Sequence, residues 1–176
     1  MARGAALRWG VRPFFGYGGS VERLGSIDVL LKRYADRGIF RGFGARLLDA
    51  DRVEYRFSWH APRPHVLRVD ARRRTVTLRD LLPELPFRSP MERALRRFLE
   101  GRAADGVPEH RRVDPRRARI RVRNRGGAVS IELEAAPGEM AYTVERAVKL
   151  LNEIFLSFLA GPYDAYMVRV FGSPEE

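Results

Sequence analysis

From Ala118 to Leu133 the side chains alternate between apolar and polar, and the alternation breaks once, at Asn124-Arg125-Gly126-Gly127. Ala118, Ile120 and Val122 interleave with Arg119, Arg121 and Arg123 on the way in. Val129, Ile131 and Leu133 interleave with Ser130, Glu132 and Glu134 on the way out. A period of two puts alternate side chains on opposite faces of a strand, and adjacent glycines suit a tight reversal. This stretch is therefore constrained to a β-hairpin with one apolar face and one charged face. A loop centred on Arg125-Gly126 pairs Ile120 with Ile131 and Val122 with Val129. That register sets Arg119 opposite Glu132 and Arg117 opposite Glu134, so the expected face is partly self-neutralised.

The same period recurs upstream. Val53, Tyr55, Phe57 and Trp59 alternate with Glu54, Arg56 and Ser58, preceded across Asp49-Ala50-Asp51 by a shorter apolar stretch, Ala45 to Leu48. A further hairpin joins His65–Asp70 to Thr75–Leu78, with Val69 opposite Val76 and Leu67 opposite Leu78. Helical spacing takes over elsewhere. Ile27, Leu30, Leu31 and Tyr34 predict a helix from Ser26, as N-cap, to Arg37, with Gly38 as its C′ residue. Ser89-Pro90-Met91-Glu92 is a capping box with proline at N1, and Met91, Leu95, Phe98 and Leu99 follow at helical spacing. A long helix is expected from Met140 to Ala160, ended by Gly161-Pro162, with a short closing element after it.

Hairpins between strands, rather than crossovers, make the expected fold α+β: an antiparallel sheet packed with helices, in the order helix, four short strands, helix, two strands, helix. That order, over about residues 26–160, resembles the type III secretion chaperones and the related bacterial sensory-transduction regulators, which have one strand fewer. The chain is also similar in style to many bacterial families without an assigned reaction, a resemblance that implies no activity. Residues 1–20, rich in glycine, arginine and aromatics, read as a flexible arm, and 21–176 as one α+β domain.

With 176 residues and 45% hydrophobic content the chain can bury a substantial core. No apolar run approaches the ~20 residues of a membrane helix. MARGAALRWGVRPFF lacks the continuous apolar core of a secretory signal. The expectation is a cytoplasmic protein without membrane contact. There are no cysteines, which removes disulfides, thiolate metal sites and a cysteine nucleophile together.

The formal net charge is +11, and all but two of the 33 basic residues are arginine. Coding bias accounts for arginine over lysine but not for base over acid. The surplus points to oxyanion partners, which guanidinium groups bind bidentately. Arg117, Arg119, Arg121, Arg123 and Arg125 are the candidate polyanion-binding residues. They form the densest part of an arginine run that begins at Arg111. The segments Arg68-Val69-Asp70 and Arg112-Val113-Asp114 are similar, which fits either the recurrence of aspartate at turns or an internal duplication of a strand-and-helix unit.

No catalytic or cofactor signature is present. His60, His65 and His110 match no zinc spacing, and no serine has an assignable histidine and acid partner. No metal or cofactor is expected. Two functional readings from different classes follow. In the first, the chain is a non-enzymatic protein-interaction or adaptor domain acting as a homodimer, because Leu150, Ile154 and Leu156 widen the apolar stripe of the last long helix beyond one face and need a partner to cover them. In the second, the arginine hairpin binds nucleic acid or another polyanion.

Overall fold

The computed structural model describes residues 19–172. In chain order its elements are α1 (Gly19–Asp36), β1 (Arg41–Asp49), β2 (Arg52–Ser58), β3 (His65–Asp70), β4 (Thr75–Leu82), α2 (Pro90–Gly101), β5 (Ala118–Arg125), β6 (Ala128–Ala135), α3 (Met140–Glu153), a π-helical turn (Ile154–Leu159) and α4 (Asp164–Phe171). All neighbouring strands are antiparallel, and the six-stranded sheet runs β1-β2-β3-β4-β6-β5. This is the expected α+β arrangement, with four helices against one sheet.

Helix α1 begins before the expected start, and Ser26 lies inside it rather than at its cap. Leu24, one turn before Ile27, is buried with Ile27 and Leu31, so helical burial reaches back at least that far. Gly19 and Ser20 thus belong to α1, and the remainder of the expected arm lies outside the described residues. At the other end Gly38 has φ +73°. The Gly38 N–H donates to the Ala35 carbonyl and the Ile39 N–H to the Tyr34 carbonyl, both at 2.9 Å. These are the two bonds of a Schellman cap with glycine at C′.

Helix α2 starts as its sequence predicts. Ser89 Oγ accepts the Glu92 N–H at 3.1 Å, and Pro90 occupies the first turn. The Glu92 carboxylate reaches back one residue further than in a standard capping box, accepting the Arg88 N–H at 2.6 Å.

The β3–β4 register is the expected one, Val69 opposite Val76 and Leu67 opposite Leu78. The β5–β6 register is not. The two-residue loop is Gly126-Gly127, with φ of +58° and +88°, the left-handed pair that a type I′ turn requires. Asn124 Oδ1 accepts the Gly127 N–H at 3.0 Å and holds that turn. Moving the turn one residue along slides the strands by two, so Ile120 faces Leu133, Val122 faces Ile131, Arg119 faces Glu134 and Arg121 faces Glu132. A shift of two leaves every side chain on its expected face and changes only its partner.

The core lies between the helices and one face of the sheet. Val53, Tyr55, Phe57, Leu67, Val69, Val76, Leu78, Ile131 and Leu133 are buried there beneath α1, α2 and α3. Helix α3 stops at Glu153, where the chain widens into the π turn; the Ala160 N–H bonds the Phe155 carbonyl, five residues back. Helix α4 then returns over this turn, with Phe171 5.3 Å from Phe155 and Tyr163 4.7 Å from Phe158. From the other side, Phe98 of α2 lies 5.4 Å from Phe158.

The broad apolar circumference is thus covered by the chain itself. Leu150 and Ile154 are 2% and 0% exposed, so neither is an interface residue, and of the three expected there only Leu156 is exposed. No partner is needed to cover α3. No helix among the described residues is long and apolar enough to cross a membrane.

Candidate functional site on the open sheet face

All four helices pack on one side, and no described element covers the other. Its side chains are set by the alternate positions of the six strands. Two cross-strand rows define it: Arg46, Glu54, Arg68, Thr77, Glu132, Arg121, and beside it Asp49, Arg52, Asp70, Thr75, Glu134, Arg119. Arg56, Arg79, Arg123 and Arg125 extend the face beyond the first of these rows. The carboxylates on the face are Glu54, Asp70, Glu132 and Glu134, with Asp49 and Asp80 at the rim. Arginine is in surplus and concentrated on the outer strands, while threonines occupy the middle.

Some of this charge is consumed internally. Glu54, 6% exposed, has Arg68 at 2.8 Å, Arg46 at 3.2 Å and Arg79 at 3.6 Å. Burial alone raises the pKa of this carboxyl, but the Arg68 hydrogen bond and the three positive charges outweigh it, and Glu54 sits below the usual glutamate range. Arg121 pairs with Glu134 at 2.5 Å and Arg123 with Glu132 at 2.8 Å, both diagonally across the ladder. Arg119 and Arg125 make no ion pair with a described residue. Arg117 precedes β5 and is held elsewhere, bonded to Glu139 at 2.6 Å with its guanidinium 3.7 Å over the Tyr142 ring. Of the five candidates, four share the face and Arg117 is drawn off its edge.

Between β4 and β6 the face dips into a polar basin of about 260 Å³. Arg52, Arg68, Arg73, Arg79, Arg123 and Arg125 surround it, with Thr75, Thr77 and Ser130 in its floor and Asp70, Asp80 and Glu132 in its wall. The arginines of β1 to β4 were not singled out from the sequence. Their alternation along each strand is visible there, as in Arg52-Val53-Glu54-Tyr55-Arg56. What is not visible is that β4 docks against β6, which joins them to the arginine hairpin.

The remaining polar candidates resolve into structure. His65 is 5% exposed, and its Nε2 meets the Trp59 carbonyl at 2.5 Å. Burial lowers its pKa to about 4, the carbonyl bond opposing that only in part. His60 is lowered by burial as well, against its 2.8 Å bond to Asn152 Oδ1. Among the described residues no three histidine, aspartate or glutamate side chains converge to hold a metal ion. Asp70 and Asp114 accept the backbone N–H of Arg73 and Arg116 at 2.8 Å and 2.9 Å, so the two similar segments are two aspartate-held turns.

Comparison with known proteins finds no matching family model, no matching curated protein and no matching solved structure. The likeness to the secretion chaperones therefore rests on element order alone.

Proposed function

We propose that the chain is a non-enzymatic binding domain whose open sheet face takes a polyanion, the phosphate backbone of a nucleic acid. One observation carries this reading: a whole six-stranded face, covered by no helix among the described residues, presents arginine in surplus over carboxylate around a polar basin. Successive arginines on β5 stand about 6.8 Å apart, two residues of strand. Guanidinium forks at that spacing suit a run of phosphates. The rows hold no phenylalanine, tyrosine or tryptophan, so bases have nothing to stack on, and recognition rests on phosphate contacts that are indifferent to sequence.

The test is a salt titration of binding to duplexes of unrelated sequence. Four arginines each displacing a counterion give log K falling with log salt at a slope of about −4, the same for each sequence. Exchanging Arg119, Arg121 and Arg123 together for glutamine should reduce the slope by about 3. Binding that is absent at low salt, or that the triple variant leaves untouched, refutes the reading.

A further inference from the structure

Strand β5 is the last of the sheet, so one of its edges has no strand partner among the described residues. The Gly126-Gly127 turn makes Arg125 and Ala128 a hydrogen-bonded pair, and along an antiparallel ladder such pairs alternate with non-bonded ones. The bond from the Ala136 N–H to the Arg117 carbonyl fixes the same phase at the far end. The backbone groups of Arg119, Arg121 and Arg123 therefore face β6, and those of Ile120, Val122 and Asn124 face outward. Among the described residues, the one hydrogen bond made to these outward groups is a long contact, 3.4 Å, from Arg96 Nη1 to the Val122 carbonyl. Edges of this kind are usually shortened, broken by proline, covered or charged, and of these devices β5 has only the charge of its arginines, which leaves it open to a strand of opposite charge. Strand β5 is eight residues long and has no proline.

Beside the open edge lies a groove of about 830 Å³ between β5 and α2, with Leu99, Ala103, Val113, Ile120 and Val122 among its apolar lining. The same strand thus offers an unpaired backbone, an apolar trough on one face and a row of arginines on the other. The chemistry that fits is already present on its paired side. Strand β6 meets β5 with Ile131 and Leu133 on the apolar face and with Glu132 and Glu134 against the arginines.

We propose that the free edge of β5 takes a second strand of this pattern, an extended segment of a partner protein in which carboxylates alternate with aliphatic residues. Its backbone pairs with Ile120 and Val122, its aliphatic side chains enter the groove, and its carboxylates meet Arg119, Arg121 and Arg123. A second copy of this chain is the wrong occupant. Antiparallel pairing of β5 with itself sets arginine opposite arginine at about 5 Å along its whole length. Residues 1–18 carry Arg3, Arg8 and Arg12 and no carboxylate, so charge disfavours them equally. This site goes beyond the phosphate-binding reading and does not depend on it.

The experiment titrates the full chain into a fluorescent peptide, AVSIELEA, which copies Ala128–Ala135, and into its charge-reversed form, AVSIKLKA. Saturable binding of the first, at least tenfold weaker for the second, is expected. Methylating the peptide nitrogens at every second residue gives two further probes. One alternate set should lose at least tenfold in affinity and the other should not, because only one edge of the added strand meets β5. On the protein, Val122→Pro removes an outward N–H without touching the ladder to β6 and should also cost tenfold or more. That variant keeps every arginine, so duplex binding should be unchanged, which separates failure here from failure of the phosphate reading. The proposal is overturned if the acidic peptide does not bind or if both methylated sets bind alike. It is also overturned if the chain alone is a dimer that Val122→Pro renders monomeric, since the edge then belongs to a second copy.

Discussion

The two faces of the sheet are built from the same strands and answer to different physics. On the covered face Val76, Leu78, Ile131 and Leu133 are at most 1% exposed, and their worth is set by burial and close packing. On the open face, one residue away along each strand, arginines, threonines and every carboxylate but the buried Glu54 stay in contact with water, where each exposed ion pair is worth about 1 kcal/mol or less. The covered face therefore carries the stability of the domain. The open face is free to be charged well beyond what stability needs, and on the proposed reading that surplus is what meets phosphate.

The sharpest way to break this contrast is to exchange the consequences. Phe155, fully buried between Phe171 and the two histidines, should cost about 3–5 kcal/mol when changed to alanine, read by urea unfolding. Thr77→Ala on the open face should stay within about 0.5 kcal/mol. A comparable loss in both would erase the distinction.

Acidification tests the covered side in another way. His65 is held neutral down to a pKa of about 4, against an ordinary value of 6.5 in the unfolded chain. Between those values the unfolded chain binds the extra proton, so stability falls as pH drops from about 6.5 to about 4, by something on the order of 3 kcal/mol. His65→Phe should reduce the slope of that part of the profile, leaving the contribution of His60, whose pKa burial also lowers. Glu54, with its pKa lowered, contributes a loss in the same direction at lower pH, as its carboxylate is protonated.

Glu92, 1% exposed, ties α2 to β5 on the covered side: Arg96 Nη2 at 2.6 Å, the Arg88 N–H and Asn124 Nδ2 at 3.2 Å all donate to it. Burial raises its pKa but these donors prevail and hold it below the ordinary range. Glu92→Gln should cost about 1–3 kcal/mol in thermal or urea unfolding.

The smallest stability effect belongs to the open face itself. Changing Glu132 and Glu134 together to glutamine should move stability by less than about 1 kcal/mol while tightening duplex binding several-fold, measured by anisotropy. Tightening without destabilisation would sharpen the comparison, and a large loss of stability would show the open face to be structural after all.

Much of this was legible locally. The period-two runs located the hairpins, the Ser89-Pro90 signal located α2, and Gly38 marked the end of α1. Two readings failed for identifiable reasons. The β5–β6 turn was centred one residue early because Arg125 sits beside two glycines. Only the positive φ at both Gly126 and Gly127 selects the loop, and the register of Arg119 and Arg121 follows from it. The partner surface assigned to Leu150 and Ile154 assumed a regular helix through Ala160. Leu150 is already buried within the regular part of α3, and Ile154 opens the π turn over which α4 folds back, so both are covered by the chain.

What the sequence determined by itself is the alternation: which side chains share a face, and that one face would be apolar and the other charged. Covalent geometry dictates that, through a period of two in strands and 3.6 in helices, and it needs no distant contact. Only the tertiary structure decided that β4 lies against β6, which gathers arginines from the whole chain onto one surface and leaves β5 at the edge. Those outcomes depend on how separate elements bury one another, and residues far apart in the chain carry no local trace of it.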